Sequence, residues 1–168
     1  MTSLPTQLKP HASEAAGMPI RAAVTAVAEQ SFFALVDDCE NPAAEESADR
    51  WLLSVVRFDD GHSSGSLACW FPPDLAQTLF DSFSGREPSD PAPPDQIEDL
   101  VGEFSNMVCG DWLSRFLGQR AFYLSPPRVT RTLRPEASGT HRVWMKVNDR
   151  PLAIDWDMTQ AARALPNG

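Results

Sequence analysis

The stretch DQIEDLVGEFSNMVCGDWLSRFLG, residues 95–118, decides the fold, because it predicts one long amphipathic helix on which the rest of the chain packs. Two prolines precede it, Asp95 is a favoured N-cap residue, and Glu98 follows where a capping box has its carboxylate. Gly118 predicts the end of the helix. Successive helical residues lie about 100° apart, so one apolar stripe predicts the core face: Ile97, Leu100, Val101, Phe104, Val108 and Trp112.

The opposite side of this helix carries a polar strip. By the same geometry, Asp99, Glu103, Asn106 and Gly110 lie within about 60° of one another, so two carboxylates, an amide and a bare backbone share one surface. Asp99 has a second interpretation, which we favour slightly, as an acid that offsets the helix dipole near the N-terminus. Beyond Gly110 the pattern slips, because Leu113 falls on the polar side, and we expect the last turn to contact different neighbours.

Length and composition indicate a single globular domain. The 168 residues are 42% hydrophobic, and no apolar run approaches the roughly 18 residues needed to cross a bilayer. No secretory signal is visible, so we expect a cytoplasmic protein without a membrane partner. The net charge of −9 argues against nucleic-acid binding. The arginines that follow the long helix, at 120, 128, 131 and 134, are interpreted as solvated loop charges.

The cysteines and histidines do not predict a metal or disulfide site. Cys39, Cys69 and Cys109 are far apart in sequence and odd in number, so each is interpreted as a small buried hydrophobe. The three histidines have no metal-ligand spacing. We therefore expect no metal and no cofactor of the protein's own.

The remaining sequence predicts an α+β fold, in which helices pack on a mainly antiparallel sheet. No βαβ alternation and no glycine-rich phosphate loop is present. Residues 1–17 are expected to form a flexible leader, 18–158 a single domain, and 159–168 a tail. The predicted elements are a helix over 19–36, strands over 51–58 and 66–71, a short helix ending near 83, the long helix, and strands over 121–124, 128–133, 141–147 and 152–156.

A motif on the long helix resembles a known family. Asp99, Glu103 and Asn106 have the spacing D-x3-E-x2-N. Gly110 follows, and a Ser-Pro-Pro sequence stands at 125–127. The combination resembles the signature of the CheC/CheX/FliY phosphatases of bacterial chemotaxis. CheC-type members can carry two copies of the motif and this chain carries one, so CheX is the closer match. The order of elements also resembles CheX over most of the chain.

The resemblance implies a function and a set of site residues. Glu103 would pair with the active-site lysine of a phosphorylated CheY-like response regulator. Asn106 would enter beside the phosphoaspartate and orient a water for in-line attack. Magnesium in such a reaction belongs to the regulator. The resemblance also raises the possibility of a homodimer.

The residue types suit that chemistry on physical grounds. Phosphoryl transfer needs little covalent help, so positioning and charge neutralisation supply most of the acceleration. An amide can accept a hydrogen bond from a water and donate another to a phosphoryl oxygen. A carboxylate three residues earlier, as Glu103 is relative to Asn106, lies on the same helix face and is available to a cationic partner group.

Two other interpretations remain open at this point. The helix could dock a receiver domain or a flagellar-switch partner without accelerating hydrolysis. Alternatively, the strip could be an ordinary soluble face of a domain that assembles through its sheet. Under that last interpretation, replacing Glu103 and Asn106 together would change neither stability nor binding by more than about 0.5 kcal/mol.

Overall fold

The computed structural model describes residues 6–7, 10–40, 50–87, 91–135 and 141–160. Three helices and eight strands lie within these ranges. In chain order they are β1 (Thr6–Gln7), α1 (Pro10–Phe32), β2 (Val36–Asp38), β3 (Trp51–Asp59), β4 (Ser63–Phe71), α2 (Pro73–Ser84), α3 (Pro94–Leu117), β5 (Tyr123–Leu124), β6 (Arg128–Thr132), β7 (Arg142–Val147) and β8 (Arg150–Gln160).

The strands form one sheet in the order β2-β7-β8-β4-β3-β5, with β6 also paired to β3 and β1 paired to β8. Every pairing among the described strands is antiparallel. Two hairpins, β3–β4 and β7–β8, each join two of the predicted strands. The second turns at Asn148 and Asp149, which both have positive φ, as a two-residue hairpin turn of type I′ requires. With three helices packed on this sheet, the α+β prediction is confirmed.

The helices pack on one face of the sheet, where alternate strand residues are buried. Leu52, Val56 and Phe58 of β3 point to this face, because period-2 alternation puts every second side chain on the same side. The rings of Phe32 at the end of α1 and Phe71 at the end of β4 both contact Phe104 of α3, with centroids 5.1 and 5.4 Å apart. α3 is therefore held between α1 and the sheet.

The other face of the sheet carries a tryptophan–arginine cluster. Trp51 and Trp144 are buried there and meet edge to face, with ring centroids 6.3 Å apart. Arg142 lies 5.9 Å from the rings of Trp70 and Trp144 and makes a two-pronged ion pair with Asp155. Trp70 Nε1 also donates to Asp155, at 3.0 Å. These tryptophans are packing residues of the sheet.

The first helix differs from its prediction at both ends. It begins at Pro10, inside the expected leader, and continues through Pro19. A proline inside a helix costs about 3 kcal/mol. Ala16 and Ile20, on either side of it, are both buried, so core packing offsets that cost. Among the described residues of the expected leader, Thr6–Gln7 forms β1, which pairs with the end of β8.

The helix ends at Phe32 instead of residue 36. Phe33 has a φ of 53°, in the left-handed region where helices commonly end, and the Ala34 N–H donates to the Ala28 carbonyl at 3.0 Å, so the chain folds back against the last turns of α1. Phe33 is 76% exposed. The next residues, Val36–Asp38, form the edge strand β2, where the sequence predicted the end of the helix and no strand.

Parts of the predicted loops and tail, including residues 41–49, 136–140 and 161–168, lie outside the described residues. Within the described part, no helix is long and apolar enough to cross a bilayer.

Candidate functional site

The helix that carries the motif begins one residue earlier than predicted. α3 runs from Pro94 to Leu117, and its N-cap residue is Pro93, which makes no side-chain capping bond. The predictions for Asp95 as N-cap and for Glu98 in a capping box are therefore wrong. Proline is favoured in the first helical turn because its missing N–H would have no helical partner there, so Pro94 starts the helix. Glu98 instead accepts hydrogen bonds from Arg131 of β6, at 3.1 and 3.2 Å.

The predicted core face of α3 is buried, apart from Ile97, which is half-buried against the core. The buried surface is wider than one stripe, because the helix packs against α1 on one side and the sheet on the other. Leu113 is also buried, as expected from the slip in the pattern, while Arg115 is exposed and pairs with Asp111 at 2.5 Å. Three further buried residues face the sheet and its edge: Gly102, Ser105 and Cys109.

The polar strip reaches solvent along α3. Asp99 and Glu103 are exposed, and Asn106 and Gly110 are half-exposed. The side chains of Glu103 and Asn106 make no hydrogen bond or ion pair with another residue in the part of the chain that the structure describes. An exposed acid and an amide one turn apart, with their polar atoms uncommitted, can both contact an external group.

The segment 123–132, which we call the edge segment, borders the strip on one side. A Cβ placed on Gly102 would lie 3.3 Å from Pro127 Cβ, and one on Gly110 would lie 3.8 Å from Leu124 Cδ1. Asn106 stands midway between these two glycines, four residues from each. The neighbour of Gly110 is therefore the chain's own Leu124 side chain.

The Ser-Pro-Pro sequence at 125–127 interrupts the outermost part of the sheet. β5 pairs with Phe58 and Asp59, whereas β6 pairs with Trp51–Val55, so the break lies beside Arg57. The Ser125 N–H donates to the Arg57 carbonyl at 2.8 Å, and Ser125 Oγ accepts from the Arg57 N–H at 3.0 Å. Because Pro127 meets Gly102 and Leu124 meets Gly110, the break lies level with Asn106.

The two cysteines between α3 and the sheet, Cys109 of α3 and Cys69 of β4, are packing residues. Burial raises the pKa of the Cys69 and Cys109 thiols to about 12, so both stay protonated and unreactive at neutral pH. Ser105, also buried, donates its hydroxyl hydrogen to the Val101 carbonyl at 2.7 Å. None of the three is a nucleophile. Cys39, in contrast, is half-exposed, so its predicted burial is wrong.

An ion pair holds the loop that follows α3. Arg120 pairs with Asp60 in the β3–β4 turn, and the Asp60 side chain is only 5% exposed. Burial alone would raise the pKa of Asp60. The N–H groups of Ser63 and His62, together with the Arg120 charge, outweigh it and hold the pKa below its ordinary value. Arg120 and Arg131 are thus structural ion-pair partners, and their interpretation as solvated loop charges is wrong.

The described residues contain no group of three or more His, Cys, Asp or Glu side chains placed to hold a metal ion. A groove of about 590 Å³ lies on the tryptophan side of the sheet, and its lining includes Arg57, Asp59, Tyr123 and Asp157. Neither Glu103 nor Asn106 lines it. The strip is instead an outward helix surface.

Sequence reasoning placed Glu103 and Asn106 on one outward strip, and the structure has them there. It missed the contacts that border the strip, the Gly102–Pro127 contact and the Glu98–Arg131 ion pair. A signal for the first was present, because a glycine inside a strong helical pattern marks a close approach. Nothing in the sequence indicates that Glu98 is paired with Arg131, 33 residues later.

Comparison with known proteins identifies the family to which this fold and motif belong. The sequence model of the family described as chemotaxis phosphatase CheX matches residues 52–147, more than half of the chain, including the strip and the Ser-Pro-Pro break. Comparison with curated protein sequences gave no match.

Solved structures with the same fold include proteins of this group. A CheC-like superfamily protein from Shewanella sp. PV-4 is 18% identical, with a TM-score of 0.64 over 86% of this chain and 97% of that one. The chemotaxis protein CheX from Vibrio vulnificus is 17% identical, with a TM-score of 0.64 over 85% and 95%.

A third structure, the complex of CheX with CheY, BeF3 and Mg2+ from Borrelia burgdorferi, matches at 11% identity and a TM-score of 0.54, over 86% of this chain and 97% of that one. At these identities the structural matches establish the fold alone, and the sequence match establishes the family. The chain belongs to the CheX family of chemotaxis phosphatases.

Proposed function

We propose that this protein is a phosphatase that removes the phosphoryl group from the aspartyl phosphate of a CheY-like response regulator. The observation that carries the proposal is the pair of uncommitted polar side chains on α3, Glu103 exposed and Asn106 half-exposed, within a motif of the CheX family. The reaction is hydrolysis, in which water attacks phosphorus and the aspartate carboxylate leaves.

Asn106 is the proposed catalytic residue. Its side-chain oxygen would accept a hydrogen bond from the attacking water, and its NH2 group would donate to a phosphoryl oxygen. Because the half-exposed Asn106 side chain has no partner among the described residues, it loses no internal hydrogen bond when it enters a receiver's phosphorylation site. The amide would raise the rate of hydrolysis by positioning, because it holds the water in line with the bond that breaks.

Glu103 is the proposed docking residue. It lies three residues before Asn106 on the same helix, so a lysine of the receiver that pairs with it would set the amide beside the phosphoryl group. An outward helix surface suits a protein substrate, since a small molecule needs a concave site that encloses it. The groove of about 590 Å³ on the tryptophan side contains neither residue.

The metal of the receiver, the assembly state of this protein and its location in the cell are further parts of the proposal. Mg2+ would be bound by the receiver and not by this chain. The partner is supported by the Borrelia burgdorferi complex of a CheX with CheY. A homodimer, and a cytoplasmic location shared with receivers, are expected from the family resemblance. Sedimentation of the purified protein tests the first of these, and cell fractionation the second.

The test is loss of phosphate from phosphorylated receivers of the same organism, with and without the protein. Wild-type protein should accelerate the loss, and Asn106→Ala should reduce the acceleration by about 10² or more, the effect of a missing positioning or acid–base group. Thermal unfolding is the control, because a half-exposed side chain without partners should change stability by less than about 0.5 kcal/mol.

Two results would decide against catalysis. Equal phosphate loss with and without wild-type protein, for every receiver tested, would refute the phosphatase. Phosphorylation-dependent binding without acceleration would instead support a docking module that uses the same helix.

A further inference from the structure

One row of residues on α3 faces the edge segment along its length. Glu98, Gly102, Asn106 and Gly110 follow one another at intervals of four, and each is rotated about 40° from the one before. Three members of this row touch the edge segment. Glu98 pairs with Arg131, Gly102 lies against Pro127, and Gly110 lies near Leu124, as described above.

The order of these contacts shows that the edge segment runs antiparallel to α3. As the helix advances from 98 to 110, its neighbours go from 131 back to 124. The fourth member of the row, Asn106, is therefore level with Ser125 and Pro126. Pro126 is exposed and Asn106 is half-exposed. Asn106 thus lies on the stretch of α3 that faces the proline break, with its side chain partly open to solvent.

The two glycines in this row are not equivalent. A Cβ on Gly110 would meet Leu124 at 3.8 Å, an ordinary contact with the end of a flexible side chain. A Cβ on Gly102 would meet the Cβ and Cγ of Pro127 at 3.3 and 3.5 Å, and Val129 at 3.7 Å. Only at Gly102 does the neighbour have to move, because proline is rigid and its Cβ is attached directly to the backbone.

Neither α3 nor the edge segment can move freely away from the contact between Gly102 and Pro127. The edge segment is paired with β3 through β5, β6 and the two hydrogen bonds of Ser125. On its far side, α3 is packed through Phe104 against Phe32 and Phe71. A displacement of a few tenths of an ångström at Gly102 is therefore transmitted along the segment to the break beside Asn106.

We propose that Gly102 is a positioning residue for Asn106, because by seating Pro127 directly on the helix backbone it sets the width of the opening through which the amide is presented. The inference rests on the proposed function, since it concerns the same amide. A glycine inside a helix costs about 1 kcal/mol relative to alanine. At Gly102 the close approach of Pro127 accounts for the glycine.

The test compares two glycine-to-alanine variants on helices. Gly102→Ala adds the methyl group that displaces Pro127. Gly17→Ala on α1 is the matched control, because its Cβ would lie 3.7 Å from Val143 and 3.9 Å from Trp156, both ordinary contacts far from the strip. Both variants gain helix propensity, so a difference between them reports the Pro127 contact.

Two readouts are needed, and only one depends on activity. Gly102→Ala should lower the saturating rate of receiver dephosphorylation by about tenfold, with the half-saturating concentration changed by less than about twofold, since misplacement of a catalytic group by about 1 Å can cost 10² in rate. It should also shift the side-chain NH2 resonances of Asn106 in a nitrogen–proton NMR spectrum. Gly17→Ala should change neither.

A second-site substitution tests the cause. Pro127→Gly removes both contacting atoms, so Gly102→Ala/Pro127→Gly should recover at least part of the lost rate and return the Asn106 resonances toward their wild-type position. If Gly102→Ala does not fold, Pro127→Gly alone tests the same contact, because it removes the Pro127 atoms that lie against the helix. It too should shift the Asn106 resonances.

The outcomes separate this inference from the proposed function. Unchanged Asn106 resonances and an unchanged rate in Gly102→Ala would overturn the positioning role while leaving the phosphatase intact. A wild-type protein without activity would refute the phosphatase, whereas shifted Asn106 resonances in Gly102→Ala would still support the positioning of the amide.

Discussion

The inner and outer faces of α3 have different roles, although residues of the two faces alternate along the sequence. Phe104 is completely buried, and its ring contacts Phe32 and Phe71 from two other elements. Glu103, the residue before it, is exposed, and its side chain has no hydrogen-bond or ion-pair partner in the described ranges. Burial of the inner face therefore supplies most of the packing of α3, and the exposed Glu103 side chain can be changed at little cost to folding.

The largest loss of stability is expected for Phe104→Ala, on the inner face. Truncating a fully buried phenylalanine costs about 3–5 kcal/mol, because the apolar contacts are lost and a cavity remains. Urea unfolding of the variant and of wild type measures the difference. Glu103→Gln is the control beside it and should lie within about 0.5 kcal/mol of wild type. Similar losses in the two variants would mean that the outer face also holds the fold.

The next largest effect is expected on the outer face, at the docking residue. Glu103→Lys should raise the dissociation constant for a phosphorylated receiver at least tenfold, about 1.4 kcal/mol, because two like charges would meet at the docking point. Titration of the receiver by fluorescence anisotropy measures the change.

Asp99→Lys is the companion variant, since it reverses an exposed charge one turn away on the same strip. If Asp99 mainly offsets the helix dipole, this change should lower stability by about 0.5 kcal/mol and weaken binding less than Glu103→Lys does. Equal weakening by the two would instead place Asp99 in the docking surface.

A third test contrasts a paired acid with the uncommitted one. Asp60 accepts hydrogen bonds from His62 and Ser63 and pairs with Arg120. Asp60→Asn should cost about 1–2 kcal/mol at pH 7, because the charge-assisted bonds are lost. The pKa of Asp60 in the folded state lies below its ordinary value of 3.8, so this stabilisation is complete above that value and is lost as the pH falls through the folded-state pKa.

Urea unfolding at pH 7 and at pH 3 measures the Asp60 effect. The gap between Asp60→Asn and wild type should narrow at the lower pH. A gap of the same size at both would show that the ionised carboxylate contributes nothing. Glu103→Gln is again the control, and its difference from wild type should stay small at both values.

The smallest expected effect extends the comparison to α1. Phe33 combines a left-handed backbone with a side chain that is 76% exposed. A left-handed backbone conformation costs an ordinary residue about 1–2 kcal/mol, and glycine avoids this cost. Part of that gain is cancelled, because glycine loses more conformational entropy than phenylalanine when the chain folds. Phe33→Gly should therefore raise stability by roughly 0.5 kcal/mol, seen as a higher melting temperature. A lower one would mean that the Phe33 ring contributes packing.

The features that follow from local periodicity were predictable from the sequence. α3 and its two faces depend on the 3.6-residue repeat, which is strong from Ile97 to Trp112, and the two hairpins depend on strand alternation around turn residues. The motif residues Glu103 and Asn106 are placed by that repeat. These parts of the fold need no knowledge of distant contacts.

What the sequence could not supply depends on distant partners. Val36–Asp38 is a strand only because it pairs with β7, more than a hundred residues later, and two aspartates do not predict a strand. The helix around Pro19 likewise depends on the burial of Ala16 and Ile20. The border of the site was missed for the same reason, since the approach of Pro127 to Gly102 is a tertiary contact.

The pair of tryptophans on the far side of the sheet has a spectroscopic consequence. Trp51 and Trp144 are rigidly packed with their rings perpendicular and 6.3 Å apart, close enough for the electronic transitions of the two indoles to couple. The sheet should therefore contribute its own circular dichroism band in the near ultraviolet. Loss of that band would report the melting of the sheet, while far-ultraviolet ellipticity follows the helices, so the order in which the two layers come apart can be observed without a label.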